Sequence, residues 1–200
     1  KYVFRLNAPA HQYAQSLLDA AFSFGKPKTI AFIYESTDFG NSVSAAGKAY
    51  AQAKGLQIVG DEAYQKGAAD YRSTLTKMKA AGPDLVFMVS YVADAILLMR
   101  QSREVGLKPQ AFLGGGAGFD TAQFASENQI SNLVYSVTQW TPESSAPATE
   151  FAQRYTAKHG KKPTYHAACA YAAMMIAGEV ASKAGGDREK VRAALDAGSW

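Results

Sequence analysis

Five short apolar runs recur along this chain at a regular beat, each after a helical stretch: residues 29–34, 57–61, 85–89, 111–113 and 133–137. From about residue 145 onward three helical patterns follow, with no further strand. Helices alternating with strands that are apolar on both sides predict an α/β fold built on a doubly wound parallel sheet. Only a strand covered on both faces loses the apolar–polar alternation. Right-handed crossovers are expected for such connections. The last part then reads as helices separated from the sheet they should cover, so one complete lobe and part of a second are expected.

The helical stretches carry their own punctuation. Ala14, Leu17, Leu18, Ala21 and Phe22 form one apolar stripe over 10–24, ended by Gly25 and Pro27. A second helix is expected over 40–54, closed by Gly55. A third is expected to open on Asp70, turn Leu75 and Met78 inward and stop at Gly82-Pro83. The pattern over 93–105 turns Ile96, Leu97 and Met99 inward and ends at Gly106, and Asp120 is the expected cap of a short helix. Beyond a polar loop at 141–147, helices are expected over 148–159, 165–184 and 188–197, the last two parted by Gly185-Gly186-Asp187.

Composition narrows the function classes. With 48% apolar and 19% charged residues in 200, the chain can bury a core and is not a disordered one. A net charge of +4 is mild, and the lysines are scattered over helix ends and turns. No basic stripe interleaved with aromatics appears, so no nucleic-acid partner is expected. The single cysteine, Cys169, excludes an internal disulfide and reads as a small core residue of an apolar helix. No apolar run approaches the ~18–20 residues that cross a bilayer. The openings at Lys1 and Trp200 read as cuts, so the lack of an export signal carries no weight.

In an open parallel sheet, ligands bind beyond the carboxyl ends of the strands. Those positions hold Glu35-Ser-Thr-Asp-Phe39-Gly40, then Ser90-Tyr91, then Gly114, Gly115, Gly116, Ala117 and Gly118, then Thr138-Gln-Trp140. The glycine run reads either as a tight turn or as backbone facing a ligand. It matches neither the dinucleotide fingerprint nor a P-loop. His11, His159 and His166 lack metal spacing, and there is no Gly-x-Ser-x-Gly elbow. Glu35 and Asp38 read as solvated loop carboxylates, and Asp61 and Glu62 as surface residues. Binding is therefore expected rather than catalysis, with no metal and no cofactor. Phe39 and Tyr91 are the candidate ligand contacts, whereas Tyr64, Tyr71, Tyr135 and Tyr155 read as core or surface.

The order Phe4-Arg5, Ile30-Ala-Phe-Ile-Tyr34, Phe39-Gly40, Asp84-Leu-Val-Phe87, Met99-Arg-Gln101, Val105-Gly-Leu-Lys108 and Phe112-Leu-Gly114 resembles the leucine/isoleucine/valine-binding proteins. These are type I periplasmic solute-binding proteins of ABC importers. The resemblance implies a two-lobed clamp that closes on a small molecule and is recognised by a membrane permease. It implies a crossing strand at 1–5, a second lobe over 6–138, and helices over 139–200 that return to an incomplete first lobe. It makes Phe39, Tyr91, the backbone of Gly115, Gly116, Ala117 and Gly118, and approximately His166 the ligand residues. Phe39 stands where the family commonly has Tyr, and Gly116-Ala117 where it has a carboxylate for the ligand's ammonium. Burying an ammonium without a paired anion costs several kcal/mol. The expected ligand is thus an aromatic or aliphatic acid with no essential amine, unless Asp120 substitutes.

Three readings follow: an importer's solute-binding component in the periplasm or anchored outside the membrane, the ligand-binding domain of a sensor or receptor, and an enzyme on a Rossmann-like sheet. The amino-acid or amide ligand remains the alternative to the acid. Uncovered helices after residue 145 also predict self-association of the fragment.

Overall fold

The computed structural model describes residues 2–116 and 118–198. Ala117 lies outside the described residues, as do Lys1, Ser199 and Trp200. The chain divides into two compact units. One is Pro9–Val137; the other comprises the described residues on either side of it, 2–8 and 138–198.

Pro9–Val137 is a five-stranded, wholly parallel sheet with the order β2-β1-β3-β4-β5. In chain order its elements are α1 (Ala10–Phe24), β1 (Thr29–Glu35), α2 (Asp38–Ala53), β2 (Gln57–Tyr64), α3 (Arg72–Ala81) and β3 (Leu85–Val89). There follow α4 (Val92–Val105), β4 (Ala111–Gly114), α5 (Ala122–Ala125) and β5 (Val134–Ser136). The doubly wound α/β sheet expected from the alternating pattern is the fold observed.

Both faces of the central strands are buried, which is why β3 reads as unbroken apolar sequence. On one face Phe32 and Phe87 meet at 5.2 Å, and Gly47 of α2 brings that helix onto Phe32. On the other, Ile33 and Met88 pack with Leu75 and Met78 of α3 and with Leu98 and Met99 of α4. Met99 is buried as expected and Leu98 is buried beside it, while Ile96 and Leu97 are partly buried at the edge of that core. Fully burying such a side chain contributes about 1.5–3 kcal/mol.

Two caps differ from expectation. Thr121, not Asp120, caps α5, its hydroxyl accepting from the Phe124 N–H at 3.1 Å. The residue at the mouth of α3 is Tyr71 without a side-chain cap, although Asp70 accepts from the Arg72 N–H at 2.8 Å. Strand β2 continues three residues beyond the expected end, to Tyr64.

The second unit is helical. It holds a 3-10 turn at Pro142–Ser144, α6 (Ala146–His159), α7 (Tyr165–Ala184) and α8 (Arg188–Ala197). Asp187 caps α8 by accepting from Glu189 and Lys190 N–H groups, as its place after Gly185-Gly186 predicts. Helix α7 is apolar nearly all round, yet only Tyr165, Ala168 and Val180 are buried along it. No helix among the described residues is long and apolar enough to cross a membrane.

Candidate functional site

The strand order has a turning point. From β1 the chain passes outward through α2 to β2; from β3 it passes the other way, through α4 to β4. Adjacent strands whose connections leave to opposite sides open a crevice at their carboxyl ends, where open α/β sheets bind ligands. The residues leaving β1 and β3 there include Phe39 and Tyr91. Their rings lie 5.8 Å apart at a tilt of 34°. Tyr91 keeps 42% of its surface exposed, so its ring is open to a ligand at this edge.

Local chemistry explains the placement of Phe39. Thr37 caps α2, its hydroxyl oxygen accepting from the Gly40 N–H at 3.2 Å while its own proton goes to Glu35 Oε1 at 2.7 Å. That chain of bonds fixes the first turn of α2, which carries Phe39. Glu35 is fully buried, not solvated as its loop position suggested, and its Oε2 has no hydrogen-bond partner. The side chain falls on the same strand face as Ala31 and Ile33, which point into the α3–α4 core.

The glycine loop forms the floor. Gly115 and Gly118 donate their N–H groups to Met88 O at 2.8 Å and Ser90 O at 3.0 Å. A Cβ on Gly118 would stand 2.5 Å from the Tyr91 carbonyl carbon, and one on Gly116 2.9 Å from Ser90 O. The run is glycine because it lies against the backbone that leaves β3. A Cβ on Gly116 would also stand 3.5 Å from the Phe39 ring. Gly115, Gly116 and Gly118 are all buried.

A polar layer lies under this rim. The Tyr64 hydroxyl donates to Ser90 Oγ at 2.8 Å, and the Tyr71 hydroxyl to Asp94 Oδ1 at 3.0 Å. Asp94, buried in the first turn of α4, accepts on its other oxygen from the Gly67 N–H at 3.2 Å. Burial pushes the Tyr64 hydroxyl far above its usual range, with Asp94 and Glu35 reinforcing the shift and Ser90 opposing it. Burial likewise raises Tyr71, helped by its bond to Asp94. Both tyrosines therefore stay neutral donors, so this layer is a fixed scaffold.

The apolar pattern of β2 fades at Asp61, three residues before the strand ends at Tyr64, so the sequence gives no sign of the loop that follows. Its Lys66 places Nζ 4.5 Å from the centre of the Tyr91 ring. Three consecutive strands in space, β2, β1 and β3, thus send Lys66, Phe39 and Tyr91 to one place.

His166 belongs to the helical unit, exposed on the first turn of α7 with its ring stacked on Tyr165 at 4.0 Å. It borders a cleft of about 380 Å³ together with Arg5, Asn7 and Cys169. Cys169 is half-buried, and burial pushes its thiol up, away from nucleophilic character.

A family model for periplasmic binding proteins matches residues 1–200. The chain belongs to the periplasmic binding protein family. Among its relatives, a Brucella abortus (strain 2308) protein called Leu/Ile/Val-binding protein homolog 8 is 33% identical over 177 residues, covering 82% of this chain and 44% of that protein. The chain thus spans less than half the length of this curated relative. Among solved structures, a leucine-binding protein from Thermotoga maritima MSB8 aligns with a TM-score of 0.79 at 22% identity, over 94% of this chain and 54% of that one. A solute-binding protein of an ABC transporter from Rhodopseudomonas palustris BisB5, in complex with 3,4-dihydroxybenzoic acid, aligns with a TM-score of 0.70 at 23% identity, over 91% and 51%. At these identities the structures establish the fold: the chain is built as type I periplasmic binding proteins are.

Proposed function

We propose that this chain forms one wall of the ligand site of an ABC importer's periplasmic solute-binding protein, and that the ligand is a small aromatic or aliphatic carboxylic acid. The observation that carries the reading is the Phe39–Tyr91 pair at the turning point of the sheet. The glycine floor beside it offers no side chain at Gly115, Gly116 or Gly118 to hold an ammonium. His166 is the ligand residue of the helical unit, and Ala117, outside the described residues, completes the glycine loop. Capture proceeds by hinge closure: the lobe that holds the ligand recruits the other, and the permease reads the closed state. The dihydroxybenzoate complex of the Rhodopseudomonas relative is consistent with an acid. The exposed apolar side chains Tyr171, Met174 and Met175 support self-association of the 200-residue chain when it is on its own.

A second reading, a branched-chain amino acid, has two points in its favour. One is the description of the Brucella relative. The other is Glu35 Oε2, a buried acceptor without a donor beneath the rim. A thermal-shift panel on the intact protein separates the two. It contains leucine, valine, their amides, benzoate, 3,4-dihydroxybenzoate and 4-methyl-2-oxopentanoate. A ligand at 100 times its Kd stabilises by about 2.7 kcal/mol. Shifts confined to the acids without an amine are expected; shifts confined to leucine and valine would transfer the site to the second reading.

A further inference from the structure

We infer that Lys66 is the group that recognises the ligand's carboxylate, a specificity-determining residue at the rim that rests on the acid-binding reading above. The loop that carries it is held rather than loose. Gly67 adopts φ +75°, a left-handed conformation that suits glycine, and its N–H donates to Asp94 Oδ2 at 3.2 Å. Asp94 is itself fixed through Oδ1 by the Tyr71 hydroxyl at 3.0 Å. The turn after β2 is thereby tied to the first turn of α4, one residue away from Lys66 on the chain.

The ammonium is presented at the surface and makes no ion pair among the described residues. Lys66 is exposed, and among the described residues its ammonium meets the Tyr91 ring, at 4.5 Å from the centroid. Among the described residues no carboxylate lies within ion-pairing distance of it. An ammonium over an aromatic face is attracted by the ring quadrupole but keeps its N–H donors for oxygen acceptors. Helix α4 begins at the same place, with Tyr91 at its mouth and no side-chain cap, while Asp94 in its first turn is turned to Tyr71 and Gly67.

An acid bound on this rim lays its apolar part against Phe39 and Tyr91 and its carboxylate toward Lys66 Nζ. The ring that supports the ammonium also packs the ligand, so charge recognition and apolar contact share Tyr91. Neutral ligands of the same shape keep the contact and lose the charge-assisted bond, about twice as strong as a neutral one.

The test uses the intact protein and isothermal titration with benzoate and benzamide, and with 4-methyl-2-oxopentanoate as the aliphatic acid. Lys66→Met should weaken the acid that binds by about tenfold or more, consistent with a hydrogen bond to a charged group. The same variant should leave benzamide within about twofold. Lys66→Arg should restore most of the loss, and rising salt should erode the wild-type preference but not the variant's residual binding. If Lys66→Met changes acid and amide alike, or neither, the inference is overturned. The acid-binding reading fails separately, and Lys66 with it, if the wild type binds neither acid. It stands without Lys66 if Phe39→Ala weakens the acid and Lys66→Met does not.

Discussion

The strands of Pro9–Val137 and the helix α7 of the second unit have comparable apolar content and opposite surroundings. In the first, Phe32, Phe87 and Phe112 are each at most 1% exposed, because a sheet between two helical layers consumes apolar surface on both faces. In α7, Met174 is 72% and Met175 57% exposed. Helical periodicity records which side of a helix is apolar; an all-round apolar helix announces burial without naming its cover. The difference teaches where sequence patterns can be trusted: the site is built on the unit whose core is closed, and its rim has the precision of that core.

The largest effect expected from this contrast is in the sheet. Phe87→Ala removes a ring packed on Phe32 and touching the floor of the glycine loop, and should destabilise by about 3–5 kcal/mol in urea unfolding. Met174→Ser on α7 should change stability by less than about 0.5 kcal/mol, as for an exposed position. Comparable losses from both would break the distinction.

Next in size is the polar layer. Asp94→Ala leaves the Tyr71 hydroxyl and the Gly67 N–H without their acceptor, a loss of about 1–3 kcal/mol. Hydrogen exchange of the 65–68 turn should accelerate along with it, which would sharpen the claim that this layer holds the rim. A turn that keeps its protection would detach the layer from the site.

The smallest effect lies at the opposite edge of the sheet. Asp84 accepts from the Lys28 and Thr29 N–H groups at 2.7 and 3.0 Å, and from Gln110 Nε2 at 2.8 Å. These bonds, led by the one to Lys28, hold its carboxyl below the usual range. A depressed folded pKa contributes stability that is present above the ordinary aspartate value of about 3.9 and is lost as pH falls through the folded value. Asp84→Asn should therefore lower stability at neutral pH modestly and flatten the acid limb of the profile, the variant and the wild type converging below pH ~4, as thermal melts across pH would record.

Strand and helix existence was legible from period and punctuation, and so was the aromatic pair, since Phe39 and Tyr91 follow two of the clearest apolar runs. What escaped has a physical cause in each case. Edge strand β2 pairs only with β1, so Asp61 and Glu62 sit in it without breaking it, and the apolar pattern faded before the strand did. Lys66 was hidden by that early ending. Glu35 looked solvated because it precedes a polar loop, yet it is the last residue of β1 and shares the face of Ile33. Asp120 and Thr121 are adjacent polar residues before α5, and the bond to the Phe124 N–H gives the cap to Thr121.

The measurement closest to the central claim is isothermal titration of Tyr91→Ala in the intact protein, with the tightest ligand found for the wild type. Because Tyr91 is exposed and tilted against Phe39 over a closed core, the account expects an unchanged melting temperature and a loss of affinity of about tenfold or more. Unchanged affinity in a folded variant would contradict it, and the wall of the site would have to be sought elsewhere on the sheet.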